Sequence, residues 1–451
     1  MKDFDWSLFA EAETFLLNQV SRFLDKSDQC QTLSNEIQKV TSTRIFDWVD
    51  HLVIPSSEVN ESFLSKIGFS EWKRIENAVV LRVEGSVLFP LILKDGKEWE
   101  LALKVEDIDN FREVYAKKRI IRGVPNAAFR KLEVNKADDF LFSVIERRGC
   151  NGYLGYAFEE SKDVDSYVEA LTAFGSRERK FGTPEEGLHQ TEELIKNFVG
   201  RIGKQRTADA FFRSECRYWE SRNHAAQIQK NRQDNVGVGW GNIDHYTFRS
   251  SRHNFKALIR LFELLGLDSR ERFHAGEQAG WGAQVMEDSD ARIVVFADVD
   301  LSGEEKEGDF AHQGLDSKQE LGTVGLWVGL NGESTLEAGM HHLAARLRFD
   351  AAREDLKGLG IGMMKPFSNF PFLKQAFTEP GKWPVEKDKL TILRKNHQIS
   401  EEQAAAFIKD GAVSSHLENI QRDQGFKGFN QNSVSAIIKL TNPLAQIEKN
   451  A

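Results

Sequence analysis

One short pattern occurs twice in this chain, first as Val49-Asp50-His51-Leu52-Val53-Ile54 and again as Ile243-Asp244-His245-Tyr246-Thr247-Phe248. Each copy places an apolar residue, an aspartate and a histidine at the head of a β-like run. Each is followed by a helix-like segment that ends in Gly68-Phe69 or Gly266-Leu267. A strand-then-helix unit stated twice constrains the chain to a duplicated fold. A histidine at the same point of two related modules is also how such a fold can build one metal site at the seam between its halves.

Hydrophobic spacing fills in the modules. Residues 1–43 have helical periodicity, with Phe9, Phe15, Leu16, Val20 and Phe23 near i, i+3, i+4, i+7 steps. Residues 44–125 read as a first β-α-β-β-β module, with strands near 48–54, 78–83, 88–94 and 99–105 and a helix over 59–67. The Asp95-Gly96 pair predicts a tight hairpin between the last two strands. Residues 126–235 read as a mainly helical insertion or connector. Residues 236–350 read as a second β-α-β-β-β module, with strands near 243–249, 281–287 and 292–301 and a helix over 254–265, followed by an extra strand near 322–330 and helix near 335–348. Residues 351–451 are a mixed C-terminal region with a helix over 401–409, capped by Ser400 and stopped near Gly411. The expected class is α+β: two such modules forming a curved mixed sheet, with large helical insertions.

Composition narrows the function. A chain of 451 residues that is 40% hydrophobic and 29% charged has room for two or three cores without a membrane. Its net charge of −9 offers no basic field for phosphates, so nucleic acid is not an expected partner. No apolar run approaches the roughly 18 residues of a membrane span, and the expected location is cytoplasmic. Cys30, Cys150 and Cys216 are odd in number and widely spaced, which predicts buried thiols rather than disulfides or a zinc knuckle. A small-molecule acid is the expected partner, and the oligomeric state stays open.

A β-α-β-β-β unit given twice, each opening on Asp-His and a hydrophobic strand, resembles the vicinal oxygen chelate superfamily of glyoxalases and extradiol dioxygenases. With its helical insertions and distant histidines, the chain is most similar to the 2-oxoadipate dioxygenase/decarboxylase-like branch. The resemblance implies a divalent metal held by one histidine from each module and a carboxylate from a late strand. By position these are His51, His245 and Asp300, with Asp298, Glu100, Glu106 and Glu418 as rival carboxylates. Two imidazoles and one carboxylate on one face of an ion leave positions open for a chelating substrate and for oxygen, so iron(II) is favoured, with manganese(II) or zinc(II) as alternatives. Strand alternation sends Asp50 and Asp244 away from the faces of their neighbouring histidines, so they are expected to cap or pair elsewhere. Arg249 and Arg252, after the second histidine, supply a guanidinium fork for a substrate carboxylate and are the expected catalytic residues.

Other constellations compete. Glu337 and His341 have i, i+4 spacing, which reads as a surface pair on a helix, whereas His416 and Glu418 share a face if 413–419 is a strand. No G-x-S-x-G elbow or G-x-x-x-x-G-K-[ST] loop occurs, so serine hydrolase and nucleotide chemistry have no local signal. Two function classes remain: a metal-dependent enzyme on a small oxo or hydroxy acid, of dioxygenase, lyase or isomerase type, or a non-catalytic protein that binds a small molecule or docks a partner on the same scaffold. They divide on whether a metal is held.

Overall fold

A computed structural model describes residues 6–75, 77–150, 163–276, 279–430 and 441–448. Two eight-stranded sheets dominate it. The first contains β1 (Val49–Pro55), β2 (Phe69–Ile75), β3 (Ala78–Val83), β4 (Leu91–Lys94), β5 (Trp99–Lys104), β6 (Ile121–Arg122), β7 (Phe129–Ala137) and β8 (Phe140–Arg147). The second contains β9 (Ile243–Arg249), β10 (Asp268–His274), β11 (Trp281–Asp288), β12 (Ile293–Asp300), β13 (His342–Arg346), β14 (Ser368–Phe370), β15 (Leu373–Phe377) and, after a two-stranded ribbon of β16 (Lys382–Trp383) and β17 (Ala412–Val413), β18 (His416–Arg422).

The strand orders are the same permutation: β2-β3-β4-β1-β5-β8-β7-β6 and β10-β11-β12-β9-β13-β18-β15-β14. In each sheet two β-α-β-β-β modules meet at their opening strands. β1 pairs antiparallel with β5 as β9 does with β13, and each opening strand pairs parallel with the last strand of its own module: β1 with β4, β5 with β8, β9 with β12 and β13 with β18. The helices Glu61–Lys66, Ile108–Tyr115, Phe255–Leu264 and Phe349–Gly358 follow the opening strands. The expected α+β module is therefore present four times, and each expected copy is the first half of a pair.

Several local expectations change for physical reasons. β2 and β10 are edge strands rich in charge, so they carry no clean alternation in the sequence. With β2 unseen, β5 counted as the end of the first module although it opens the next. The expected Asp95-Gly96 hairpin does not pair its flanking strands, because β4 and β5 lie on opposite sides of β1. Residues 126–235 begin with β7 and β8, which complete the first sheet, before the helices Val164–Ser176, Pro184–Ile202, Lys204–Glu220 and His224–Asn235. The expected strand near 322–330 is the helix Thr323–Asn331, almost wholly buried and apolar all round, where periodicity cannot separate helix from strand. The expected helix near 335–348 is instead β13.

The second sheet separates its two faces by alternation. Tyr246 and Phe248 on β9 pack with Phe212 and Phe262 from the covering helices. A buried aromatic of this kind contributes about 1.5–3 kcal/mol. His245, Thr247 and Arg249 take the opposite face. The N-terminal segment is helical as expected (Ala10–Leu24 and Asp28–Thr41), and Ser400 caps the helix Glu401–Asp410. All three cysteines are buried, and none is in a disulfide. Among the described residues, no helix is long and apolar enough to cross a membrane.

Candidate metal centre

The Asp-His motif acquires its geometry from a β-bulge. Ala344 faces His245 and Ala345 faces Ile243, so Asp244 is the extra residue on β9; Asp50 is likewise extra between Val49, opposite Leu103, and His51, opposite Ala102. A bulge re-aims side chains that strict alternation would separate. Asp244 Oδ1 consequently lies 3.1 Å from His245 Nδ1, and Asp50 Oδ1 lies 2.7 Å from His51 Nδ1. This corrects the expectation that the aspartates pair elsewhere. Each carboxylate is itself gripped by an arginine of the sheet's later module: Arg422 Nε donates to Asp244 Oδ2 at 2.9 Å, and Arg147 Nε to Asp50 Oδ2 at 2.8 Å.

With Nδ1 engaged, His245 presents Nε2 to its neighbours. His245 Nε2 lies 3.3 Å and His342 Nε2 2.9 Å from Glu418 Oε2. The three side chains come from adjacent strands β9, β13 and β18, and Ala344, opposite both His245 and Glu418, leaves only a methyl group between them. Glu418 Oε1 accepts from Gln375 Nε2 at 2.8 Å, which fixes the carboxylate with Oε2 toward the imidazoles. All three residues are buried. Burial opposes charge on His245, but the carboxylates of Glu418 and Asp244 outweigh it and raise its pKa; burial likewise opposes ionisation of Glu418, and the imidazoles overcome it and hold the carboxyl low. Burial lowers His342 to about 4 against the pull of Glu418. A neutral imidazole is the form that ligates metal.

Beyond the three donors the same face carries Arg249, whose Nε is 3.7 Å from Asp298 Oδ2 and whose guanidinium lies 5.4 Å from the Trp327 ring centroid. Burial lowers Arg249 to about 10, and burial raises Asp298 to about 7 despite Arg249. His341 and His416 adjoin His342, with ring centroids 5.0 and 5.1 Å from it, and the ring nitrogens of His416, Nε2 of His341 and Nη1 of Arg249 make no hydrogen bond. Such a density of unsatisfied buried polar atoms marks a site built for something other than the chain itself.

Of the expected ligands, His245 stands in this cluster. His51 belongs to the first sheet, because its partner strand is β5 rather than any strand of the second half. Asp300 accepts from the backbone N–H groups of Gly322, Val324 and Gly325 at 2.8–2.9 Å, so it anchors the start of the helix that carries Trp327. Arg252 donates to Glu305, the Asp300 carbonyl and the Asp316 carbonyl, and serves the loop rather than the metal centre. Glu106 accepts from the Trp240 backbone and pairs with Lys230. His342 was missed because β13 reads as helix. Glu418 was a rival only, through its alternation with His416.

Register places residues of the first sheet at matching positions. Ala102 faces His51 and Ser143 as Ala344 faces His245 and Glu418, which puts Ser143 in the place of Glu418 and Glu100 in that of His342. Lys131 faces Ile145 as Gln375 faces Ile420. Its ammonium lies 2.5 Å from Glu100, which also accepts from Ser143. Here the chain's own lysine neutralises the carboxylate, whereas the second sheet gathers two imidazoles and a carboxylate.

The paired β-α-β-β-β modules, joined through opening strands that carry the donors, decide the architecture. The chain has the vicinal oxygen chelate fold. No family model matches the chain, and no curated protein does. Solved structures similar to it include a mutant of 4-hydroxymandelate synthase from Streptomyces coelicolor (10% identity, 89% of this chain and 98% of that one, TM-score 0.30) and the Mn(II)-bound glyoxalase from Novosphingobium aromaticivorans (9%, 86% and 87%, TM-score 0.20). Methylmalonyl-CoA epimerase from Mycobacterium tuberculosis is also similar (10%, 40% and 87%, TM-score 0.24). At such low scores the assignment stands on this chain's own strand order.

Asp244 gives a direct check on the outer layer. Asp244→Asn keeps the shape but weakens the charge that orients His245, and metal affinity is expected to fall by about 10–100-fold. Competition against a chromophoric chelator measures it, and unchanged affinity would remove Asp244 from the site.

Proposed function

We propose that this protein is a metal-dependent enzyme acting on a small oxo or hydroxy acid, with His245, His342 and Glu418 holding one divalent ion. The observation that carries the reading is the convergence of His245, His342 and Glu418, which bring one donor atom each to within 4.8 Å of one another in a buried position. Their outer atoms are braced by Asp244 and Gln375. The donor set fits a divalent ion: two imidazoles and a carboxylate form the set that binds iron(II) with positions left open, and manganese(II) or zinc(II) also accept it. Bound there, the ion would supply Lewis acidity to a chelating substrate and, as iron(II), a place for dioxygen.

The chain's own residues do the rest. Arg249, two residues beyond Thr247 on the same face of β9, aims a guanidinium whose Nη1 has no protein partner, which suits the carboxylate of an acid substrate. Asp244 holds the proton on His245 Nδ1 and so keeps the Nε2 lone pair directed at the ion. Phe296 packs its ring 4.9 Å from that of His245, and Trp327 lies beside Arg249 and His341. The oxygenase, lyase and isomerase chemistries share this machinery.

The purified chain is expected to carry close to one divalent ion by elemental analysis, and His51→Ala is expected to keep it. Metal-free protein whose melting temperature does not move with added iron, manganese or zinc would overturn the proposal and favour a metal-free binding role.

A further inference from the structure

A second chamber lies at the seam of the two sheets, with Asp244 in its wall. It is a cavity of about 90 Å³ lined by residues of both sheets and of the helix Lys204–Glu220. One water needs roughly 10–15 Å³ of such space, so the cavity accommodates several waters or one small oxyanion.

Four cations and four carboxylates line it, and most of them have partners. Asp244 takes Arg346 and Arg422, and Glu106 takes Lys230, none of which lines the cavity. Arg147 and Arg292 both approach Asp50, and Arg213 pairs with Asp209. Lys104 is left over: among the described residues its ammonium makes no hydrogen bond or ion pair. The duplication explains why. Lys104 occupies on β5 the position that Arg346 occupies on β13, two residues past the alanine that faces the motif histidine. Arg346 reaches its aspartate at 3.1 Å, whereas Asp50 is already held by Arg147 and Arg292, and the lysine faces the cavity instead. Burial and the neighbouring guanidinium of Arg292 push Lys104 down to about 8, against the pull of Asp50. Burial raises the Cys216 thiol and the Tyr246 phenol well above their usual values, so neither supplies negative charge.

We propose that this seam cavity binds a small oxyanion, of the size of phosphate or a short carboxylate, against the Lys104 ammonium. None of the three metal donors lines the cavity, and Asp244 borders both sites. In thermal unfolding of the full chain, phosphate is expected to raise the melting temperature by a few degrees over chloride of equal ionic strength and to saturate. Acetate in a parallel arm tells a carboxylate site from a phosphate site, and a saturating response to either supports the proposal. Lys104→Met is expected to lose the response while melting no lower than wild type in chloride, and Lys104→Arg to retain it. His245→Ala should respond as wild type does, so failure here is distinct from failure of the metal reading. A wild-type chain with no response to either anion beyond chloride, or an undiminished response in Lys104→Met, overturns the site. Should Lys104→Met not fold, titration calorimetry of phosphate and of acetate into the wild-type chain decides alone, with binding of either supporting the site and binding of neither overturning it.

Discussion

Glu418→Ala is expected to purify without bound metal and to lose more affinity than the roughly 10–100-fold that follows loss of an outer partner. Glu418 is the one carboxylate among the three donors, and Oε2 lies 3.3 and 2.9 Å from the two Nε2 atoms. Without it two neutral imidazoles face a doubly charged ion in a buried site, with no negative charge to offset the ion's desolvation. The nearby acid Asp298 is beside Arg249 and is raised to about 7 by burial, so it does not replace the missing charge. The Gln375 amide also loses its acceptor, at a cost of about 1–3 kcal/mol in the metal-free fold. Glu100→Ala, at the matching level of the first sheet, should leave metal content unchanged. Elemental analysis of both variants checks the pair of outcomes. Retention of a full equivalent by Glu418→Ala would move the ion to the neighbouring group of His341, His342 and His416.

The module was legible in the sequence, and so was the place of one histidine of the buried cluster. The repeated Asp-His marked two opening strands correctly, because β1 is apolar after its histidine, β9 alternates aromatic and polar residues, and each has a fixed relation to the helix that follows. The other two opening strands, β5 and β13, carry no Asp-His; their apolar runs are buried on both faces and gave no module boundary. That concealed the doubling of each half, and the doubling decides which histidine meets which. His51 and His245 occupy equivalent places in separate sheets, so the seam expected between them falls instead between β9 and β13, where His342 supplies the second imidazole. The pairing of Asp244 with His245 was hidden for a different reason. Alternation is a rule for regular pairing, and a bulge is set by the partner strand's register, which a single strand's residues do not reveal. Asp300 illustrates the converse: an aspartate on a late strand matched the expected ligand pattern, while the helix start it holds was read as a strand.

Asp50→Ala is expected to destabilise the fold by about 3–5 kcal/mol, the range for breaking a buried ion pair from one side. Asp50 is fully buried, accepts from Arg147 through both carboxylate oxygens at 2.8 and 2.9 Å, and approaches the Arg292 guanidinium at 3.6 Å. Arg292 stands at the start of β12 in the second sheet, so the alanine variant strips a counter-charge from both halves at once. Burial alone would raise the Asp50 carboxyl, but Arg147 and Arg292 overcome it and hold it well below the usual value of 3.8. A depressed folded value means that the unfolded chain takes up the proton first. The contribution is therefore fully present above about pH 3.8 and is lost as pH falls through the folded value. Asp50→Ala should accordingly lie below wild type in chemical denaturation at neutral pH, and the gap should close in strong acid. Equal denaturation midpoints at pH 7, with equal slopes, would show that the Arg147–Asp50–Arg292 junction contributes nothing net.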